Sequence, residues 1–149
     1  MSLKNLMLLV LSVSLVIGVA LTGGCVGKET ATPDQETPTQ IIENITPQEA
    51  FTLIQNNQNN PDFVILDVRT PEEFADGHIE NAINLDYYSE TFRDDLNKLD
   101  KNKKYLIYCR SGNRSGKALN IMEELNFREV YNMVGGIIAW EAAELPTVK

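Results

Sequence analysis

From residue 41 onward, short apolar runs alternate along the chain with segments in which apolar residues recur every three or four positions. A near-continuous apolar run of five or six residues is typical of a parallel strand that is buried on both faces. Residues 63–68, FVILDV, show this pattern most clearly. Five strands are predicted in this way, over residues 41–45, 63–68, 82–85, 105–109 and 130–133.

Helices are predicted between these strands. Thr46 and Thr70 are each followed by a proline and, three positions on, by a glutamate, which is the pattern of an N-cap with a capping box. Apolar stripes at helical spacing predict later helices, on residues 92, 96 and 99, on residues 118, 122 and 125, and over the final segment 137–143. Strands that alternate with helices predict an α/β domain over residues 41–149, with a parallel sheet and helices on both faces.

Residues 1–25 follow a different pattern. A long uncharged apolar stretch comes after Lys4 and ends in small residues before Cys25, which is the layout of a secretory signal. The stretch is shorter than the ~20 residues of a membrane span. The ending LTGGC resembles a prokaryotic lipobox, in which Cys25 is lipidated, although Thr22 stands where the motif prefers leucine. An uncleaved membrane anchor and a soluble secreted form are the alternatives.

Residues 26–40, VGKETATPDQETPTQ, lack any apolar periodicity. Such a polar segment, rich in threonine, proline and glutamate, is expected to be a disordered linker. Together with the lipobox, it predicts an extracytoplasmic domain that is anchored to the cell membrane.

The composition narrows the choice of function. A net charge of -8 argues against a nucleic-acid partner, because phosphate backbones require a basic surface. The two cysteines, Cys25 and Cys109, lie in very different contexts, so no disulfide is expected. With His78 as the only histidine, no zinc-type ligand set is visible, and we expect neither a metal nor a cofactor.

The stretch 105–115, YLIYCRSGNRS, carries the candidate chemistry. Cys109 ends a predicted strand, and Arg110, Gly112 and Arg114 follow before the next helix. Ligands of open α/β sheets bind at the carboxyl ends of the strands. The loop amides and the helix N-terminus are expected to form an anion site that favours the thiolate, with help from the two arginines. The arginines would also attract an anionic substrate.

Four motifs in order make residues 41–149 resemble a single-domain rhodanese of the thiosulfate sulfurtransferase type. The motifs are DVRTPEEF at 67–74, GHI at 77–79 with AIN at 82–84, CRSGNRS at 109–115, and the Gly135-Gly136 pair with Trp140. The resemblance implies a parallel five-stranded sheet flanked by helices. It also implies transfer of a sulfane sulfur from a donor such as thiosulfate to cyanide or a thiol, through a persulfide on Cys109.

The resemblance assigns the remaining site residues. The loop that binds the substrate and the persulfide is formed by Arg110, Ser111, Gly112, Asn113, Arg114 and Ser115. Asp67 and Arg69 match a pair that supports this loop from the neighbouring strand. Four residues at three sites depart from the family pattern, namely Glu80-Asn81 for Pro-Gly, Asp86 for Pro, and Glu144 for Gly, and these make the turn geometry uncertain.

Two other functions fit parts of the pattern. The first is a phosphatase or arsenate reductase with a related cysteine loop. Protein tyrosine phosphatases place an arginine six positions after the cysteine, whereas Ser115 occupies that position here. The tighter loop ending at Arg114 suits one sulfur atom better than a phosphate. Alternatively, the domain could carry sulfur to a partner protein or simply bind one. An intact Cys109 argues against pure binding but not against a protein partner.

Overall fold

A computed structural model describes residues 39–149 of the chain. The predicted signal or anchor, Cys25 and nearly all of the predicted linker lie outside the described residues. Strands and helices alternate within this part, in the order β1 Ile41–Ile45, α1 Pro47–Asn56, β2 Phe63–Asp67, α2 Pro71–Asp76, β3 Ala82–Asn84, α3 Phe92–Asn97, β4 Lys104–Tyr108, α4 Asn113–Glu124, β5 Glu129–Met133 and α5 Gly136–Ala142.

The five strands form one sheet in the order β1-β5-β4-β2-β3, and every pairing is parallel. β4 therefore lies at the centre, between β5 and β2. The predicted fold class, an α/β domain with a parallel five-stranded sheet, is confirmed. Because all strands run in the same direction, their carboxyl ends meet at one edge, which places the residues after β2 and β4 side by side.

Side chains of β4 alternate between two hydrophobic cores, as the period of two in a strand requires. Tyr105, Ile107 and Cys109 belong to one core, which also contains apolar residues of α3 and α4. Leu106 and Tyr108 belong to the other, which contains apolar residues of α1 and α5. Helices thus cover both faces of the sheet, and Cys109 faces the α3–α4 side.

Both predicted capping boxes are present. Thr46 caps α1 with Glu49, and Thr70 caps α2 with Glu73, each with proline at the first helical positions. The predicted stripe on residues 92, 96 and 99 is only partly helical, because α3 ends at Asn97. Leu99 still packs against the same core from the turn that follows.

Two of the residues that depart from the family pattern lie in turns and have a left-handed backbone conformation. Asn81 has φ 64° and Glu144 has φ 56°. Glycine adopts this conformation without a steric cost, whereas glutamate does not. The chain therefore keeps the turns that the family pattern assigns to glycine, at some cost in backbone strain. Within residues 39–149, none of the helices is long and apolar enough to cross a membrane.

Candidate active site

Cys109 is the first residue after the central strand β4, and it is almost completely buried, with 1% of its surface exposed. The chain then turns through Gly112, whose left-handed backbone, φ 90°, serves as the N-cap of α4. A side chain at Gly112 would lie 3.0 Å from the Gly135 nitrogen, so this position also requires a small residue. The thiol therefore lies between the end of a strand and the start of a helix, as predicted.

Two groups of the loop contact the sulfur directly. The amide of Gly112 donates a hydrogen bond to Sγ of Cys109 at 3.1 Å. The hydroxyl of Ser115, which is fully buried, lies 3.5 Å from the same Sγ and 3.3 Å from the Gly112 carbonyl oxygen. These groups are donors, so they stabilise negative charge on the sulfur.

The donors outweigh the effect of burial on the thiol. Burial raises the pKa of Cys109, whereas the Ser115 hydroxyl and the nearby amides of Ser115, Ser111 and Gly112 lower it, and the net pKa lies below its ordinary value. The predicted contribution of the loop amides is thus present. The prediction rested on backbone amides and did not include the Ser115 hydroxyl, although the motif places a serine at this position.

Helix α5 closes the loop from its other side. The amides of Ile137 and Ile138 donate to the carbonyl oxygens of Cys109 and Arg110 at 2.9 and 3.1 Å. A side chain at Gly136 would collide with the Cys109 carbonyl oxygen and lie 2.6 Å from the Arg110 carbonyl oxygen. Gly136 thus permits a backbone-to-backbone contact that holds the loop, a role that the sequence motif alone did not indicate.

Arg114 and Arg110 have different environments. The guanidinium of Arg114 forms two hydrogen bonds with the carboxylate of Glu73, at 2.6 and 2.8 Å, and lies over the ring of Tyr88 at 5.3 Å from its centroid. The bond with Arg114, together with the cap at Thr70, lowers the pKa of Glu73 to about 2, although burial opposes the shift. Arg110 is exposed. Glu73 was predicted only as the capping-box partner of Thr70, and Tyr88 had no predicted role.

Asp67 and Arg69 form a buried ion pair, at 2.7 Å, beside the end of β4. Arg69 also donates to the Gly77 carbonyl oxygen at 2.6 Å and lies 5.8 Å from the ring centroid of Tyr108. The hydroxyl of Tyr108 in turn accepts a hydrogen bond from the Ile79 amide. The pair therefore fixes the β2–α2 connection and contacts Tyr108, the residue immediately before Cys109.

A cleft of about 610 Å³ opens beside the loop, between α2 and α5. Its walls carry three acidic and three basic side chains together with Gly77 and two isoleucines; the charged residues are Glu73, Asp76, Glu141, Arg69, Arg110 and Lys149. A second cavity of about 620 Å³ lies against α1 and the start of β2, away from the loop.

His78 stacks on Phe74, with centroids 3.8 Å apart, and Trp140 is buried in the core. No cluster of potential metal ligands occurs among residues 39–149.

Comparisons with known proteins converge on one family. The sequence model described as "Rhodanese-like domain" matches residues 50–143. A sulfurtransferase of Allochromatium vinosum is 36% identical over 97 residues, which cover 65% of this chain and 89% of the relative. The thiosulfate sulfurtransferase GlpE of Coxiella burnetii is 34% identical over 107 residues, which cover 68% and 90% of the two chains. A rhodanese-related protein of Thermoplasma volcanium superposes with a TM-score of 0.60 at 29% identity, over 71% of this chain and 97% of that one.

Proposed function

Because the chain belongs to the rhodanese-like domain family, we propose that it is a sulfurtransferase in which Cys109 carries the transferred sulfur as a persulfide. Sulfur transfer in general follows from the family and from the names of its relatives. The observation that carries the persulfide step is the position of Sγ, which is surrounded by hydrogen-bond donors from Gly112 and Ser115. These donors stabilise the thiolate, which is the nucleophilic form of cysteine.

The first half-reaction transfers sulfur to the enzyme. The thiolate of Cys109 attacks the sulfane sulfur of a donor such as thiosulfate, and a new bond between the two sulfurs forms. The S–S bond of the donor breaks, and sulfite leaves with the electron pair, so no proton transfer is required. The same donors then stabilise the negative charge of the persulfide, as an oxyanion hole stabilises a developing charge.

The second half-reaction regenerates the thiolate. A thiophilic acceptor attacks the outer sulfur of the persulfide, the bond between this sulfur and Sγ breaks, and its electron pair returns to Cys109. When cyanide is the acceptor, the product is thiocyanate. When a thiolate is the acceptor, the product is an organic persulfide. Neither half-reaction requires a redox cofactor, since the sulfane sulfur only changes its partner.

The size of the loop supports sulfur chemistry over phosphoryl or arsenate chemistry. The loop is short, because Arg114 comes one position earlier after Cys109 than the arginine of the phosphatase pattern, and Gly112 and Ser115 lie within 3.1 and 3.5 Å of Sγ. Arg114 forms an ion pair with Glu73, at 2.6 Å, and is thus already neutralised. A tetrahedral oxyanion bound to the cysteine would need a wider loop and a cation that is free to bind its oxygens.

A second candidate function is sulfur delivery to a partner protein. Two large apolar side chains next to the loop favour it: Tyr88, which is 68% exposed and contacts Arg114, and Ile138, which is 49% exposed and whose amide bonds to Arg110. Exposed aromatic and aliphatic residues around a reactive group suit a protein surface better than a small ion. In this case the acceptor thiol belongs to a protein, and the chemistry at Cys109 is the same.

The location of the reaction is a separate proposal. The apolar segment of residues 1–25 and its lipobox-like end support an extracytoplasmic domain that is anchored to the membrane, either by lipid on Cys25 or by an uncleaved helix. Growth with a labelled fatty acid distinguishes the two. A lipidated protein incorporates label and loses membrane association in Cys25→Ser, whereas retention of Cys25→Ser at the membrane supports the uncleaved helix.

Turnover provides the direct test of the enzyme. The purified chain is mixed with thiosulfate and cyanide, and thiocyanate is measured; parallel reactions use a small thiol as acceptor. We expect thiocyanate from the wild type and none above background from Cys109→Ser, with Cys25→Ser as the matched control that keeps full activity. Activity that survives Cys109→Ser would contradict the proposed role of this residue.

A further inference from the structure

The charges around Cys109 affect which sulfur donor the site prefers. This inference rests on the proposed function, sulfur transfer through Cys109. Thiosulfate is a dianion, and it must approach a thiolate that is itself negative. A site that favours thiosulfate therefore requires positive charge near the sulfur that is free to bind it. Arg114, the residue before Ser115, has the position to supply this charge.

Glu73 neutralises the positive charge of Arg114. Its carboxylate binds both terminal nitrogens of Arg114, at 2.6 and 2.8 Å, and the pair is largely shielded from water, with 13% of the Arg114 side chain and 28% of the Glu73 side chain exposed. The geometry is bidentate, which is the strongest form of a carboxylate–guanidinium contact. Glu73 cannot easily release its partner, since the Thr70 amide holds the same Oε2 at 3.1 Å.

The adjoining cleft does not restore a positive field. Apart from Glu73, which pairs with Arg114, the cleft is lined by two acidic and three basic side chains. Of the basic residues, Arg69 is neutralised by Asp67, at 2.7 Å. The charges of Arg110 and Lys149 are then balanced by those of Asp76 and Glu141, which line the same cleft. The surroundings of the thiol loop are thus close to neutral, and the donors that contact the sulfur are uncharged amides and a hydroxyl.

We propose that Glu73 determines donor specificity: by neutralising Arg114 it makes the site favour a small organic persulfide, R–S–SH, over the thiosulfate dianion. In this reaction the Cys109 thiolate attacks the outer sulfur of R–S–SH, the bond between the two donor sulfurs breaks, and R–S⁻ leaves with the electron pair. The proton of the donor remains on the transferred sulfur, so Cys109 becomes Cys–S–SH. No oxidant or reductant is needed, and the attacked –S–SH group carries no charge.

Glu73→Gln tests the proposal with little structural disturbance. Glutamine has the same shape and is an accepted residue at this position of a capping box, so the cap on Thr70 is retained. Glu49→Gln is the matched control, because Glu49 occupies the same position in the capping box of α1 and forms no ion pair within residues 39–149. Both variants remove one negative charge from a helix N-terminus, but only Glu73→Gln leaves Arg114 without its partner.

The experiment measures kcat/KM of the full chain with the persulfide of 2-mercaptoethanol, which has no charged group besides its –S–SH, and with thiosulfate, using cyanide as the acceptor. We expect the wild type to prefer this persulfide. In Glu73→Gln, kcat/KM for thiosulfate rises by about tenfold relative to that for the persulfide, which corresponds to ~1.4 kcal/mol. The thiosulfate rate of this variant also becomes sensitive to added salt, since free charges are screened. Glu49→Gln keeps the wild-type ratio.

Each alternative outcome has a distinct meaning. A wild type that prefers thiosulfate, or a donor ratio that is unchanged in Glu73→Gln, overturns the specificity proposal and leaves sulfur transfer intact. A parallel loss of both activities in Glu73→Gln would assign Glu73 a purely structural role and would also overturn the proposal. If neither donor places sulfur on Cys109 of the wild type, the proposed function itself fails.

Discussion

The carboxylate of Glu73 and the guanidinium of Arg114, which are 41 residues apart, form two hydrogen bonds of 2.6 and 2.8 Å. The contact joins the first turn of α2 to the first turn of α4 and thereby connects the end of β2 to the thiol loop. The Glu73 carboxylate also accepts a hydrogen bond from the Thr70 amide at 3.1 Å. One side chain thus caps a helix and neutralises the arginine of the thiol loop.

This ion pair makes stability depend on pH. The bond with Arg114 and the cap lower the pKa of Glu73 from 4.5 to about 2, against the effect of burial. A lowered carboxylate pKa stabilises the fold fully above the unfolded-state pKa, and this stabilisation is lost as the pH falls from about 4.5 to about 2. We expect Glu73→Gln to be less stable than the wild type by about 1 kcal/mol at neutral pH, a value typical of a partly exposed pair.

Urea denaturation of both proteins over this pH range measures the effect. The difference in unfolding free energy between wild type and Glu73→Gln should shrink steadily as the solution is acidified. A difference that does not change with pH would mean that the ion pair contributes nothing to stability.

The Ser115 hydroxyl is expected to lower the pKa of the Cys109 thiol. In Ser115→Ala one donor to Sγ is lost, so the pKa of Cys109 rises and the acid limb of the pH–rate profile moves to higher pH. The pH dependence of Cys109 alkylation, followed by mass spectrometry, reports this shift without the need for turnover. Ser111→Ala is the control, since Ser111 acts on the sulfur through its backbone. Equal profiles for the two variants would contradict the role of the hydroxyl.

Gly136 should tolerate no side chain. In Gly136→Ala the new Cβ meets the carbonyl oxygens of Cys109 and Arg110, at a position where φ is 58°, so the loop must move. We expect a loss of stability of about 3 kcal/mol or more and a large loss of activity. Gly116→Ala is the matched control, because the nearest atom to its Cβ, in Asn132, lies at an ordinary contact distance of 3.9 Å.

Gly116 lies inside α4, where alanine is preferred over glycine by about 0.5–1 kcal/mol. Gly116→Ala should therefore raise the melting temperature, while Gly136→Ala lowers it. Two variants that behave alike in thermal denaturation would show that the contact between α5 and the loop does not constrain Gly136.

Two turns offer a route to higher stability. Glu144 has left-handed backbone, φ 56°, at which glycine avoids the steric cost of a side chain, so Glu144→Gly should stabilise the fold by about 0.5–1 kcal/mol. Asn81→Gly should stabilise it less, because asparagine adopts φ 64° more readily than glutamate does. Thermal denaturation ranks the two, and a destabilised Glu144→Gly would contradict the assignment of strain to this turn.

Local sequence signals predicted the fold well. The capping boxes at Thr46 and Thr70, the buried run of β2 and the position of Cys109 between β4 and α4 all depend on residues that are close together in the sequence. The parallel five-stranded sheet was predicted from the alternation of strands with helices and from the resemblance to a rhodanese. The wrong predictions concern the ends of helices and strands. Helix α3, for example, ends at Asn97, whereas the apolar spacing continues to Leu99.

The site was predicted less completely, because its contacts join distant segments. The sequence placed Arg114 in the loop but could not show that Glu73 neutralises it, since nothing local distinguishes Glu73 from Glu49. The contact of Gly136 with the backbone of Cys109 likewise depends on how α5 packs against the loop. The predicted supporting role of Asp67 and Arg69 and the predicted anchor at Cys25 remain predictions.

The central claim is that Cys109 carries the transferred sulfur, and mass spectrometry of the intact chain tests it most directly. After incubation with a sulfane donor and removal of excess reagent, the wild type should gain one sulfur atom, peptide mapping should place it on Cys109, and added cyanide should remove it. Cys25→Ser should behave as the wild type does, and Cys109→Ser should gain nothing. Sulfur found elsewhere in the chain, or none at all with either thiosulfate or the persulfide of 2-mercaptoethanol, would contradict the account.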